Sequence, residues 1–389
     1  MADITLAEVI KEINKKYSTD KFKVMSLGVS KIAERGTLSL GSPSLDVCLY
    51  NSLPEGCMIE ISGSESSGKT TLAYLIANSY IRKEIQRNPT EPRKILFIDA
   101  ECSADPEWAL ASTGYDMNRA DVPTCHFMPS GQSAEEIFDI VVTCVKTGEV
   151  GLVIFDSLTA IVSQQLVDES LSKKEMGGIA MALGTFCKKI TGLLNRSKTT
   201  FIGINGVTEN LTQYGEKEQT PGGRTWKRAC MVRVKAKRGD FFDDSGEVIA
   251  KKDAQSPAGH IIEMYVYKTK VCRWDRKLGR CHLNYVRGID VLQDTIDTAV
   301  LLGLIDTSVQ GSFKLIDVEH NKPLLDSNGA EIKIRGRKNL KPFFEQHKEL
   351  WKQLYNKCYE MMSVKETPYT TSFEQMLNVD VGEIENEEE

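Results

Sequence analysis

The chain has 389 residues, 41% hydrophobic and 26% charged, with a net charge of −5. That balance fits a folded chain of two or three domains. It excludes a global basic field as the means of holding nucleic acid, and leaves only a local one. The ten cysteines form no C-x-x-C pair and no Cys/His cluster at metal spacing, which points to plain thiols in a reducing compartment.

Residues 3–16 predict an amphipathic helix with Leu6, Val9, Ile10 and Ile13 on one face and Glu8, Lys11, Glu12 and Lys15 on the other. A stripe so near the start of the chain suits packing on its own core and packing on a neighbouring subunit equally. Residues 17–38 read as a connector with a β-prone piece at 22–27. Residues 38–46 read as a turn leading into a short helix.

The next stretch is the strongest signal in the chain. A β-prone run, Met58 to Ser62, ends in Gly63-Ser64-Glu65-Ser66-Ser67-Gly68-Lys69-Thr70, and a helix-prone run begins at Thr71. This is G-x-x-x-x-G-K-[ST] in its proper strand–loop–helix context. Backbone N–H groups and the positive end of the helix wrap phosphates, the lysine reaches the β- and γ-phosphates, and the threonine hydroxyl holds Mg²⁺. ATP with Mg²⁺ is therefore the expected ligand.

Strand-like and helical runs then alternate. Residues 94–99, 150–156 and 199–205 are almost continuously apolar, as central strands covered on both faces are. Residues 133–146 and 179–194 predict amphipathic helices between them, and 231–236 and 261–268 further strands. The pattern predicts a doubly wound α/β core, with chemistry at the carboxyl ends of its strands. Asp156 ends one such strand and suits the second Mg²⁺ partner. Glu101, just past another, suits polarising an attacking water, and Asp99 competes with it for that role.

Residues 214–239 hold eight Lys or Arg against two Glu, and their first half is glycine-rich. They fit a mobile clamp on single-stranded nucleic acid, with Trp226 available to stack. They fit a solvated charged strand as well. After Asp290 the pattern changes. A helix-prone run at 292–304, a polar stretch and one amphipathic helix over 341–362, with Phe343, His347, Leu350, Leu354 and Cys358 on a shared face, read as a small separate lobe. Residues 374–389 carry seven acids and no Lys or Arg, an expected disordered acidic tail. No apolar run approaches a membrane span and the start shows no signal-peptide pattern, so the expected location is cytoplasmic.

Taken together, LSLGSPSLD (38–46), GSESSGKTT (63–71), FIDAE (97–101), VIFDS (153–157), FIGIN (201–205), PGGRTWK (221–227), YKTK (267–270) and YVRGID (285–290) resemble the bacterial and phage RecA family of recombinases. The similarity runs from about residue 5 to 362. The resemblance implies a RecA-like P-loop ATPase core with a mostly parallel sheet, an N-terminal helix–strand extension and a small C-terminal α/β lobe. It divides the chain into a protomer-docking helix and connector (1–38), the ATPase core (39–290), the lobe (291–362) and the tail (363–389). It implies a DNA-dependent ATPase that forms helical filaments on single-stranded DNA, pairs that strand with homologous duplex and exchanges strands. Accessory recombination proteins are further expected partners, in a bacterial cell or a phage-infected host.

By the same resemblance, Gly63, Gly68, Lys69, Thr70 and Thr71 match the phosphate loop, Glu101 the catalytic carboxylate, and Asp156 with Ser157 the second magnesium-side motif. Asp105, Trp108 and Tyr285 fall at adenine-contacting positions, the family's usual tyrosine being replaced at Trp108. Lys268 and Lys270 match a pair that reaches the neighbouring protomer's γ-phosphate. The DNA-binding loops map to about 166–178, with Lys173, Lys174 and Met176, and 206–223, with Gly222 and Gly223. Arg224, Lys227 and Arg228 follow the second loop. Met176 either wedges between bases or packs at a helix start. The N-terminal stripe becomes the surface that docks on the adjacent protomer, and the tail a brake on DNA binding.

Two departures stand out. The family's γ-phosphate-sensing glutamine is Gly206 here, leaving Asn205, Thr208 or Asn210 to substitute, or a looser coupling of ATP to DNA. An expected phenylalanine is Arg228. The rival readings are a hexameric helicase on the same core and an ATPase regulator that does not bind DNA.

Overall fold

The computed structural model of the chain describes residues 5–18, 35–50, 52–168, 178–209, 218–244, 246–250, 254–272, 275–317, 322–325 and 329–363. In chain order the strands are β1 (Thr37–Leu38), β2 (Leu53–Pro54), β3 (Met58–Gly63), β4 (Lys94–Asp99), β5 (Thr124–Phe127), β6 (Val150–Asp156), β7 (Thr200–Asn205), β8 (Thr208–Glu209) and β9 (Glu218–Gln219). They continue with β10 (Val232–Phe242), β11 (Val248–Ile249), β12 (Gly259–Thr269), β13 (Leu278–Asn284), β14 (Gly288–Ile289), β15 (Ile305–Val309), β16 (Ser312–Asp317), β17 (Lys322–Pro323) and β18 (Lys333–Arg335). The helices are α1 (Leu6–Tyr17), α2 (Pro43–Asp46), α3 (Lys69–Arg87), α4 (Pro106–Thr113), α5 (Ala134–Lys146), α6 (Gln164–Asp168), α7 (Gly178–Ser197), α8 (Gly223–Ala229), α9 (Val291–Leu301), α10 (Leu340–Gln346) and α11 (Lys348–Ser363).

Among the described residues the central sheet has ten strands, in the order β14-β13-β12-β10-β3-β7-β6-β4-β5, with β11 paired to β10. From β10 to β5 every pairing is parallel. From β10 through β12 and β13 to β14 it is antiparallel. The near-continuous apolar runs are explained by burial on both faces. Ile59, Ile95, Phe97, Ile154 and Ile202 face the core built with α3. Met58, Leu96, Ile98, Phe155 and Phe201 face the core built with α5 and α7. Alternation sends successive residues of one strand to opposite faces, so both must be apolar.

Helix α1 opens on a capping box, with the Thr5 hydroxyl and Glu8 carboxylate satisfying each other's backbone N–H groups. Of its stripe, Val9, Ile10 and Ile13 are half-buried and Leu6 is 59% exposed. The β-prone piece at 22–27 lies outside the described residues.

The lobe differs from expectation in one respect. The single helix expected over 341–362 is two, α10 and α11, broken at His347, whose φ/ψ of −116°/62° leaves the helical region. At the break the His347 ring stacks on Phe343 and has Nδ1 at 2.8 Å from the Phe343 carbonyl oxygen. β16 pairs with β15, β17 and β18 in a small antiparallel sheet against these helices.

Candidate functional site

The site begins where β3 becomes α3. Gly63 lies so close to the Ala236 carbonyl of β10 that a Cβ there would collide with it, and Gly68, at φ +90°, caps α3 in the left-handed region. Between them Ser64, Glu65 and Ser66 are exposed. Ser67 is buried, and its hydroxyl has no hydrogen-bond partner among the described residues. Lys69 folds back over the loop, its Nζ donating to the Ser64 carbonyl at 2.8 Å. Burial lowers the Lys69 pKa, against the pull of Asp156, Glu101 and Glu65. The Thr70 hydroxyl donates to Asp156 Oδ2 at 2.7 Å. Burial pushes Asp156 up to about 6, and the Thr70 bond opposes that rise.

These groups fit a metal–triphosphate. An orphaned hydroxyl lines the glycine-bounded loop, a lysine stands over it, and a threonine–aspartate pair adjoins a helix N-terminus. Among the described residues no three or more His, Cys, Asp or Glu gather to hold a metal on their own. A hard cation that keeps waters and arrives with phosphates needs no such cage.

The two competing carboxylates differ in occupation. Asp99 is buried and accepts the N–H groups of Ser103 and Ala104 at 3.0 and 3.1 Å. It is committed to holding the turn after β4. Glu101 is exposed, and its carboxylate takes a hydrogen bond from the Ser157 hydroxyl, next to Asp156. The Ala100 N–H donates to the Asp156 carbonyl at 2.7 Å, which joins the ends of β4 and β6 and brings Glu101 toward the loop.

Asp105 is the N-cap of α4, accepting the Trp108 N–H at 2.9 Å, and the Trp108 side chain packs half-buried on the core. Tyr285 lies in the turn between β13 and β14 and is 37% exposed.

Lys268 and Lys270, at the end of β12, converge on one place. Lys268 Nζ donates to the Lys227 and Arg228 carbonyls at 2.6 and 3.2 Å, and Lys270 Nζ to the Arg228 carbonyl at 3.0 Å. Both cap the carboxyl end of α8, where unpaired carbonyls and the helix dipole favour cations. Burial and the Lys270 charge lower the Lys268 pKa.

Helix α8 opens on the glycine pair Gly222, its N-cap, and Gly223, its first residue, at φ +98° and +74°. Arg224 and Arg228 are exposed and Lys227 is half-buried. Trp226 corrects an expectation. It is completely buried and cannot stack on a base. Its indole N–H donates to Glu60 Oε1 at 2.7 Å, and its ring meets Phe201 edge-on.

Glu60 is the residue that sequence reasoning missed. It is fully buried in β3, three positions before Gly63, and also receives the Asn205 amide at 2.9 Å and the Arg233 guanidinium. Asn205 Nδ2 donates in addition to the Pro221 carbonyl at 3.1 Å, and Arg233 to the Thr220 hydroxyl at 3.0 Å. This cluster ties the strand entering the phosphate loop to both ends of the 206–223 stretch. The available signal was a carboxylate inside an otherwise apolar buried strand. Of the residues considered as substitutes at Gly206, Asn205 is engaged in this cluster and Thr208 bonds the Gln219 carbonyl. Asn210, and with it Lys173, Lys174 and Met176, lies outside the described residues.

A family model described as the RecA N-terminal domain matches residues 4–288. Among curated proteins, the Protein RecA of Ruminococcus albus is 31% identical over 293 residues, 73% of this chain and 66% of that protein. The Protein RecA of Mycoplasma mobile is 30% identical over 361 residues, 92% of this chain and 96% of that protein. The Protein RecA of Fusobacterium nucleatum is 33% identical over 284 residues, 72% and 68% respectively.

Proposed function

The chain belongs to the RecA family, DNA-dependent ATPases of homologous recombination, and from that premise we propose how its residues divide the work. ATP with Mg²⁺ binds at residues 63–71. The loop's backbone N–H groups and the α3 N-terminus take the phosphates, and Lys69 leaves the Ser64 carbonyl to reach the β- and γ-phosphates. Thr70 and Asp156 hold Mg²⁺, which neutralises phosphate charge. Glu101 orients and polarises the attacking water. Trp108, Asp105 and Tyr285 hold the base.

Lys268 and Lys270 complete the site of the next protomer, where two positive charges stabilise the transferring phosphoryl group. A site finished by a neighbour makes hydrolysis depend on assembly. Residues 206–223, with Arg224, Lys227 and Arg228, and residues 166–178, with Lys173, Lys174 and Met176, hold single-stranded DNA. Residues 1–38 dock protomers into a filament through the α1 stripe. Residues 39–290 form the ATPase core and 291–362 a lobe that gathers duplex DNA, while 363–389 restrain DNA binding. Among the described residues no helix is long and apolar enough to cross a membrane, and the proposed location is the cytoplasm.

One observation carries the reading. The Thr70–Asp156 hydrogen bond of 2.7 Å joins the phosphate loop to the end of β6, with Glu101 bonded to the adjacent Ser157. The test is ATP hydrolysis with and without single-stranded DNA, paired with a salt titration of DNA binding. Strong stimulation, its loss in Lys69→Ala and a steep negative salt slope are expected. Absence of single-strand binding at low salt would overturn the assignment.

A further inference from the structure

Behind Tyr285 stands a histidine with no assigned task. His260, in β12, is 7% exposed, and its Nδ1 lies 2.9 Å from the Tyr285 hydroxyl. The two rings are 5.6 Å apart and inclined at 48°. Phe241, the cross-strand neighbour of His260, meets the histidine edge-on at 6.3 Å. Burial, with Arg238 nearby, pushes His260 down to about 4, so it is a neutral imidazole with a single N–H. Its Nε2 is buried without a partner among the described residues. An orphaned buried nitrogen costs stability, and an apolar side chain would fill the same space without it. Packing alone therefore does not account for a histidine here.

The location relates it to the nucleotide site. Ile262, two residues on and on the same face of β12, packs against Gly68 of the phosphate loop, so closely that a Cβ at Gly68 would lie 2.9 Å from it. The turn carrying Tyr285 is fixed from both sides. Asn284 Oδ1 accepts the N–H groups of Val286 and Arg287 at 2.9 and 2.8 Å. Gly288 lies against the carbonyls of Ala111 and Ser112 at the end of α4, the helix that carries Trp108. The backbone of Tyr285 is thus held, and the free variable is its ring.

We propose that His260 is a positioning residue for the nucleotide base, fixing the Tyr285 phenol so that the ring presents a ready-made stacking face. This rests on the reading of Tyr285 as a base contact. A platform held before binding spares the cost of ordering it when the base arrives.

The experiment measures binding of MgATP and of inorganic tripolyphosphate, which has no base, to full-length variants. His260→Leu weakens MgATP binding about threefold to tenfold, the worth of one hydrogen bond, and leaves tripolyphosphate binding unchanged. Tyr285→Phe, which keeps the ring and loses the hydroxyl, does the same. The double variant is no worse than either single. His260→Asn, which keeps a polar partner near the phenol, restores most of the loss and serves also if the leucine variant folds poorly. Additive losses, or equal losses for tripolyphosphate, overturn the proposal. Tyr285→Ala separates the layers. If it binds MgATP like the parent, the base-contact reading fails. If it weakens binding while His260→Leu and Tyr285→Phe do not, only the role of His260 fails.

Discussion

The indole N–H of Trp226 donates to Oε1 of Glu60 at 2.7 Å, and neither side chain is exposed to water. Glu60 belongs to the strand that enters the phosphate loop, and Trp226 to the helix that leaves the proposed DNA loop. Trp226→Phe keeps an aromatic side chain but removes the donor and leaves a cavity where the larger indole packed, so a loss of at least about 1.5–3 kcal/mol is expected, the worth of a hydrogen bond to a charged group before the cavity is counted. Glu60→Ala is expected to cost more, about 3–5 kcal/mol, because it strands the Arg233 guanidinium. Denaturant unfolding checks both. A neutral Glu60→Ala would mean that the cluster contributes nothing to the fold.

The residue after β7 is Gly206, where the family pattern has glutamine. A Cβ at this position would meet Thr159 at 3.3 Å, tight but open to adjustment because the contact is a side-chain methyl. Gly206→Gln is expected to raise, by threefold or more, the ratio of single-strand affinity with ATP to that without it. An unchanged ratio would show that the glycine is not what sets the coupling.

Asp46 is fully buried, and accepts from Ser39, the Leu40 N–H and the Tyr359 hydroxyl of α11. Burial pushes it up to about 7. Between the ordinary carboxylate range and 7 the folded state keeps a proton that the unfolded state has released. Stability therefore falls as pH rises through that window, by at most about 1.4 kcal/mol per pH unit, and is level above it. Asp46→Asn should gain on the parent in melting temperature from pH 5 to pH 7. A constant difference between the two would contradict the shift.

Deleting residues 374–389 removes seven carboxylates and is expected to speed binding to duplex DNA, most at low salt where screening is weak. Stopped-flow binding gives the rate, and no change would argue against a restraint by the tail.

The parts of the site legible in the sequence share a cause. Buried parallel strands must be apolar on both faces, so the residues that break the pattern at or just past their ends, Gly63, Glu101 and Asp156, stand out against the runs before them. The strand order and the pairing of β10 with β3 were not legible, because register is a long-range property. That pairing sets Arg233 opposite Glu60, and from it follow the buried cluster and the burial of Trp226, whose basic neighbours suggested an exposed aromatic. The break at His347 escaped for a local reason. The shared apolar face continues across it, and the break lies in the backbone of His347 alone, whose φ/ψ leaves the helical region.

In the single chain, Lys268 and Lys270 donate to the end of α8, whereas the proposed function places them on a neighbour's phosphates. Mixing two inactive variants on single-stranded DNA tests that directly. Lys69→Ala lacks the loop lysine but keeps the pair, and Lys268→Ala/Lys270→Ala lacks the pair but keeps the loop. If each site is shared between protomers, the mixture recovers a sizeable fraction of parental ATP hydrolysis while each variant alone stays inactive. A mixture no more active than its components, with both variants still co-assembling on the DNA, would contradict the shared site.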